Sequence, residues 1–171
     1  MYVPIVTGMA TDKPVHCTAH RNHLFFSFDG SLQHSAIGNP YSWSAVLGAA
    51  ELAAGDVITG FQVLRDFEGL SGHLHEYKVD IAKSMMEMCA ALDCRVMLAC
   101  SSTSTHATGD TDKLVQDLRK LAMLAIPMNI KIAFEALSWG RNVNDVPQAW
   151  DLITQADMPN LGLGFDSFHL F

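Results

Sequence analysis

The amino-acid sequence predicts an α/β protein in which parallel strands alternate with helices, as in part of a (β/α)8 barrel. Four short runs recur after residue 56, and each is mostly apolar throughout instead of alternating between apolar and polar positions. Strands that are buried on both faces of a parallel sheet have this composition. Helical patterns separate the runs, and one strand with its helix takes roughly 30 to 40 residues, as in a (β/α)8 barrel.

The four apolar runs give the expected strand positions. They are 57–64 (VITGFQVL), 95–100 (RVMLAC), 130–134 (IKIAF) and 161–165 (LGLGF). Because consecutive strands are separated by helices, right-handed crossovers would join them into a parallel sheet.

Helices are predicted over 75–92, 112–125 and 144–156, where apolar residues recur every three or four positions. Aspartates at 110–112 can open the second helix. Asn144 is expected to cap the third, and Pro147 falls in its first turn, where a missing N–H costs little. His73 and His75, beside the start of the first helix, are expected to face solvent.

Residues 1–56 form an irregular segment with little periodicity, whereas 57–171 carries the regular pattern. Within the first segment, 24–28 can form a strand and 44–54 a short helix. A closed barrel needs ~250 residues. This chain therefore predicts a partial barrel or an open α/β sheet. Unclosed strand edges invite pairing with another chain, so self-association through these edges is expected.

Charge and composition exclude several classes of function. The formal net charge is -7 and no run of Lys or Arg is present, so a nucleic-acid partner is not expected. No apolar run reaches the ~18 residues that a membrane span needs, so no membrane partner is expected either. Four cysteines occur without a CxxC pair, which is typical of a reduced, cytoplasmic protein.

Two carboxylates stand where apolar strands end. Glu135 follows 130–134 and Asp166 follows 161–165. The carboxyl ends of parallel strands form the active-site face of such folds, and a divalent cation offsets the cost of burying carboxylates there. Alternatively, each carboxylate caps the next helix or pairs with Arg141 or Lys131. His169, three residues after Asp166, is either a general base at the same mouth or a loop histidine bonded to backbone.

Four sequence blocks carry a resemblance to a known family. They are FQVLRDFEG (61–69), VMLACSS (96–102), FEALSWGRNVND (134–145) and PNLGLGFDSFH (159–169). In this order and spacing they resemble the xylose-isomerase-like TIM barrels of the sugar phosphate isomerase/epimerase superfamily. More narrowly, they are similar to bacterial 3-dehydroshikimate dehydratases. The resemblance covers about residues 57–171.

The resemblance implies a catalytic divalent metal, Mn²⁺, Mg²⁺ or Co²⁺, held by four side chains that include Glu135 and Asp166. His169 is then expected at the reacting centre as a base. Arg65 would pair with the carboxylate of a small-molecule substrate, and Ser101 and Trp139 would contact that substrate. The implied reaction is dehydration of 3-dehydroshikimate to protocatechuate, a step of aromatic compound catabolism.

This sequence departs from the family pattern in two respects. Ser102 stands where the related enzymes often have Asn, which leaves one polar contact in question. The remaining two metal ligands would come from later strands outside this sequence, so weak metal binding and impaired activity are expected. Two alternatives remain open: a sugar isomerase or epimerase on the same fold, and a non-catalytic fragment.

Overall fold

The computed structural model describes residues 15–20, 23–28 and 57–169, and its strands form one sheet in chain order. The strands are β1 (Val15–His20), β2 (His23–Phe28), β3 (Val57–Arg65), β4 (Val96–Cys100), β5 (Lys131–Glu135) and β6 (Leu161–Leu163). From β2 to β6 every neighbouring pair is parallel, which confirms the predicted parallel sheet. β1 and β2 pair antiparallel, an arrangement that the sequence did not predict.

Three helices connect the parallel strands after β3. They are α1 (Gly72–Ala91), α2 (Thr111–Ala125) and α3 (Val146–Ala156), with short 3₁₀ turns at Ile126–Met128 and Ser167–His169. All three predicted helices are therefore present, and the strand expected at 24–28 corresponds to β2. The helix expected at 44–54 lies outside the described residues. Within the described ranges, no helix is both long and apolar enough to cross a lipid bilayer.

Of the two predicted helix caps, one was correct and the other was wrong. Asp110 caps α2 as expected, because its side chain accepts the N–H of Lys113 at 2.9 Å. The prediction that Asn144 caps α3 was wrong, since Asp145 accepts the N–H of Gln148 at 2.8 Å. The Gln148 side chain in turn accepts the N–H of Asn144 at 2.8 Å. This reciprocal pair satisfies two N–H groups at once, much as a capping box does.

The two faces of the sheet bury different clusters. The main core lies where the helices pack against the sheet, and it contains the largest fully buried side chains. A smaller cluster contains Val63, Leu98, Cys100 and Leu137. A barrel wall has the same two environments, because its helices cover the outside and its strands fill the inside.

His75 is buried, so the prediction that it faces solvent was wrong; His73 is exposed as expected. The His75 ring packs edge-on against Phe67, with 5.3 Å between the ring centroids, and its Nε2 lies 3.5 Å from Oδ1 of Asp117. Burial lowers the pKa of His75. The packing of α1 against α2 therefore encloses a polar group that the helical pattern alone had assigned to the surface.

Candidate metal centre

The carboxyl ends of β5 and β6 bring Glu135, Asp166 and His169 together. One potential ligand atom from each side chain lies within 4.8 Å of the other two. Glu135 is the last residue of β5, and Asp166 follows β6 by three residues, immediately before the 3₁₀ turn that carries His169. Both carboxyl groups are buried. The predicted meeting of these three residues at one mouth is therefore what the structure has.

Each buried carboxyl group has one oxygen with a hydrogen-bond donor and one without. Oε2 of Glu135 accepts the Cys100 thiol at 3.2 Å, and Oδ1 of Asp166 accepts the N–H of Phe168 at 2.9 Å. Oε1 of Glu135 and Oδ2 of Asp166 are buried and have no hydrogen-bond partner within the described ranges. Unpaired buried charge is costly, so both oxygens are suited to a ligand that carries positive charge.

Electrostatics at Glu135 follow from this burial. Burial raises the pKa of the Glu135 carboxyl, and the neighbouring Asp166 carboxylate adds to the rise. The Cys100 thiol, His169 and Arg65 act in the opposite direction. Two carboxylates and an imidazole are donors that Mn²⁺, Co²⁺ and Zn²⁺ accept, and oxygen donors suit Mg²⁺. The residues present thus fit a divalent cation.

His169 is held by the loop after β5. Its Nδ1 lies 3.2 Å from the backbone nitrogen of Ser138 and 3.3 Å from the Ser138 hydroxyl oxygen. An Nδ1 that accepts the N–H leaves the proton of a neutral ring on Nε2, whereas an Nδ1–H that donates to the hydroxyl leaves a lone pair on Nε2. The Trp139 ring packs edge-on against the imidazole, with 4.7 Å between centroids. The two contacts with Ser138 therefore favour different tautomers of His169: the backbone N–H favours Nε2–H, and the hydroxyl oxygen favours Nδ1–H.

The expected substrate-contacting residues differ in their surroundings. Arg65 is exposed at the end of β3, and more than half of the Trp139 surface is exposed beside His169. Ser101 is almost fully buried, and its hydroxyl accepts the N–H of Leu137 at 2.9 Å. That contact joins the loops that follow β4 and β5. Contact of any of the three with a substrate stays a prediction.

Sequence reasoning missed the role of Cys100. In the parallel register of β4 and β5, Cys100 lies opposite Glu135, so its thiol reaches the carboxylate. Burial raises the pKa of the Cys100 thiol well above its usual value, which keeps it a neutral donor. One signal was available in the sequence: Cys100 ends its predicted strand, and the next predicted strand leads directly into Glu135.

Comparison with known proteins identifies the family of this fold. A family model described as Xylose isomerase-like TIM barrel matches residues 28–171. A 3-dehydroshikimate dehydratase of Pseudomonas putida is 42% identical over 115 residues, which are 67% of this chain and 18% of that protein. An inosose isomerase of Bacillus licheniformis is 31% identical over 99 residues, which are 56% of this chain and 36% of that protein. The chain thus spans about a fifth of the length of the dehydratase.

Two solved structures show the same fold. One is a xylose isomerase-like TIM barrel/4-hydroxyphenylpyruvate dioxygenase fusion protein, with a TM-score of 0.69, 36% identity, and coverage of 86% of this chain and 22% of that chain. The other is an IOLI protein with a bound zinc atom, with a TM-score of 0.64, 25% identity, and coverage of 73% and 47%. The family model spans most of the sequence. The chain belongs to the xylose isomerase-like TIM barrel family.

Proposed function

We propose that this chain carries part of the active site of a metal-dependent 3-dehydroshikimate dehydratase, which converts 3-dehydroshikimate to protocatechuate and water. The observation that supports it most is the pair of buried carboxylate oxygens, Oε1 of Glu135 and Oδ2 of Asp166, without hydrogen-bond partners in the described part of the chain and beside His169. The 42% identity to a protein of that name supports the choice of substrate.

Glu135 and Asp166 are the proposed metal ligands. A divalent cation supplies Lewis-acid stabilisation of the negative charge that develops on a carbonyl oxygen when a proton leaves the adjacent carbon. Mn²⁺, Mg²⁺ and Co²⁺ are the proposed ions, and the zinc atom bound by the similar IOLI protein adds Zn²⁺ as an ion to test. The Cys100 thiol fixes the Glu135 carboxylate by donating to its second oxygen.

His169 is the proposed base. With its Nδ1–H donated to the Ser138 hydroxyl, the Nε2 lone pair is free to take a proton. In the proposed reaction that proton leaves the carbon next to the substrate ketone, and the β-hydroxyl then leaves as water. A second enolisation gives the aromatic ring, so atoms balance with the loss of one water molecule.

Arg65 is the proposed partner of the substrate carboxylate, since its guanidinium is exposed at the same end of the sheet. Its positive charge also acts to lower the pKa of Glu135. Trp139 would cover the substrate beside His169, and Ser101 would line the bottom of the substrate pocket. Replacing Arg65 with Lys keeps the charge but loses the planar fork. The expected result is a higher KM for the carboxylate substrate with kcat changed less.

A second candidate is isomerisation or epimerisation of a sugar or a related polyol ketone. The 31% identity to an inosose isomerase favours it, and removal of a proton next to a carbonyl would begin that reaction too. Assay of the chain with 3-dehydroshikimate and with ketohexoses separates the two. Formation of protocatechuate, followed by its ultraviolet absorbance, would support the dehydratase; turnover of ketohexoses alone would exclude it.

Manganese binding tests the site directly and does not depend on turnover. Isothermal calorimetry with Mn²⁺ should give one site in the wild type, lost in both Glu135→Ala and Asp166→Ala. Glu76→Ala, an exposed acidic residue on α1, is the matched control and should bind as the wild type does. Unchanged affinity in either site variant would remove the assignment. A wild-type site no tighter than millimolar would favour the non-catalytic fragment.

His169→Ala separates the base from the ligands. We expect it to leave Mn²⁺ affinity intact while turnover falls by ~10²-fold or more. A loss of affinity as large as in Asp166→Ala would instead make His169 a ligand, which its distance from the two carboxylates also permits.

The proposed location is the cytoplasm, where thiols stay reduced. Cys89, Cys94 and Cys100 are all free and buried. When the protein is purified from its own cells and denatured without prior reduction, a thiol reagent should modify all three of these cysteines.

A further inference from the structure

Glu68 is a buried acid in the loop that follows β3, outside the cluster of Glu135, Asp166 and His169. Its side chain is 2% exposed. Oε1 accepts the backbone N–H of Ser102 at 2.5 Å, and Oε2 is buried with no hydrogen-bond partner in the described part of the chain. A buried carboxyl group with one oxygen lacking a partner is costly unless it is neutral.

Asp66 reinforces the same attachment. Its Oδ1 accepts the N–H of Thr103 at 2.8 Å, and the hydroxyl groups of Ser102 and Thr103 each at 3.2 Å. Two acids of the β3 loop therefore hold the β4 loop, one from within the protein and one closer to its surface.

The β4 loop in turn holds the β5 loop. The carbonyl oxygen of Ser102 accepts the N–H of Arg141 at 2.8 Å, and the Ser101 hydroxyl accepts the N–H of Leu137. Ser138 follows Leu137 and makes the contacts that orient His169. Hydrogen bonds, linked by the peptide bonds Ser101–Ser102 and Leu137–Ser138, thus connect Glu68 through the β4 and β5 loops to the imidazole.

Burial dominates the electrostatics of Glu68 and raises its pKa to about 8. The backbone N–H groups of Ser102 and of Glu68 itself act against this rise, whereas Asp66 beside it and Asp117 on α2 add to it. Lys78 on α1 is buried near the same acids, and burial lowers its pKa; Cys100 on β4 is a neutral thiol.

We propose that Glu68 is a positioning residue for the candidate metal centre: its carboxyl group anchors the β4 loop, and through the β5 loop it fixes the orientation of His169. The proposal rests on the proposed function only for the statement that His169 acts in catalysis. The contacts themselves can be tested without a metal or a substrate.

The test compares Glu68→Gln, Glu68→Ala and Glu76→Gln with the wild type, all in the full chain. Gln keeps the oxygen that accepts from Ser102 and mimics the neutral acid, Ala removes it, and Glu76→Gln makes the same charge change at an exposed site on α1. Amide hydrogen exchange reports the Ser102 N–H. The ¹⁵N shifts of the His169 ring report its tautomer and hydrogen bonding.

We expect Glu68→Ala to lower the protection factor of the Ser102 amide by ~10-fold or more relative to amides in α3, and to shift the His169 ring signals. Glu68→Gln and Glu76→Gln should match the wild type at pH 6.5 in both measurements. Glu68→Ala with wild-type protection of Ser102 and an unshifted His169 ring would overturn the proposal. So would a uniform loss of protection over the whole chain with an unshifted ring, because that indicates a structural role only.

Glu68→Asp decides the matter if Glu68→Ala does not fold, because Asp keeps the acid but is one methylene shorter and withdraws its oxygen from the Ser102 N–H. The Ser102 amide should then lose protection and the His169 ring signals should shift; wild-type values of both would overturn the proposal. Mn²⁺ titration of the same samples keeps the two questions apart. Absence of a metal site in the wild type would refute the proposed function, while the exchange and ring measurements would still test Glu68.

Discussion

Replacing Glu68 with Gln should change how the stability of this protein depends on pH. Burial raises the pKa of Glu68 from 4.5 to about 8, so between these values the folded chain binds this proton more tightly than the unfolded chain. The free energy of unfolding therefore falls as pH rises from about 4.5 to about 8, and the loss levels off above the folded pKa. At about 1.4 kcal/mol per pKa unit, the shift corresponds to a loss of up to about 5 kcal/mol.

Urea unfolding of the wild type and Glu68→Gln at pH 5, 6, 7, 8 and 9 measures this effect. The difference in free energy of unfolding between the variants should move in favour of Gln by at least about 2 kcal/mol between pH 5 and pH 8. Other groups with shifted pKa values, such as His75 and Glu135, titrate in both proteins and cancel in the difference. Glu76→Gln should track the wild type.

A difference that stays constant from pH 5 to pH 9 would refute the reasoning. It would mean that Glu68 binds its proton equally in the folded and unfolded chain, and hence that its carboxyl group is solvated in the folded protein. A single domain has a total stability of about 5–15 kcal/mol, so an effect of the expected size lies well within measurement.

Three further substitutions test the contacts around the site. Cys100→Ala removes the donor to Glu135 and should weaken Mn²⁺ binding by ~10-fold in calorimetry, whereas Cys100→Ser should restore it; wild-type affinity in Cys100→Ala would show that the thiol is not needed. Ser138→Ala leaves only a backbone N–H at Nδ1 of His169, so ¹⁵N spectra of the ring should show the Nε2–H tautomer. Turnover should then fall by ~10-fold or more, and an unchanged spectrum would contradict this reasoning. Gly140→Ala places a Cβ 2.0 Å from the backbone carbonyl oxygen of Val143. It should lower the free energy of unfolding, measured in urea, by about 2 kcal/mol, and no loss would mean that the loop after β5 has room for the methyl group.

Local pattern was sufficient for the regular half of the fold. Strands β3 to β6 were predictable because strands buried on both faces are apolar at successive positions. The helices were predictable because one apolar stripe repeats at helical spacing. The meeting of Glu135 and Asp166 followed from one rule, that parallel strands end at the same edge of a sheet.

Contacts between distant residues were not predictable in this way. Glu68 is held by the amide of Ser102, 34 positions later, and His75 is enclosed by Asp117, 42 positions later. Nothing in the periodicity around either residue distinguishes it from a solvated one, because its burial is decided by the loop or helix that packs over it. The antiparallel pairing of β1 with β2 was missed for a related reason, since 15–20 lacks the apolar run that marked the other strands.

The buried carboxyl oxygens without hydrogen-bond partners belong to Glu68, Glu135 and Asp166 in the part of the chain that is described, and all three follow or end parallel strands at the same edge of the sheet. The side chain of Asn160, at the other end of β6, also has a buried oxygen without a partner in the described part of the chain, but this oxygen is uncharged and the amide nitrogen donates to two backbone carbonyls. An unneutralised carboxylate costs free energy wherever it is buried, so each needs a positive counterpart. For Glu68, which stands apart from the other two, a proton is sufficient. For Glu135 and Asp166, each with a carboxylate oxygen within 4.8 Å of the other, one cation could neutralise both, and its binding would then stabilise the folded chain in proportion to its affinity. The same edge of the sheet thus combines a buried acid that retains its proton with a proposed cation-dependent centre, and the two respond to different ligands.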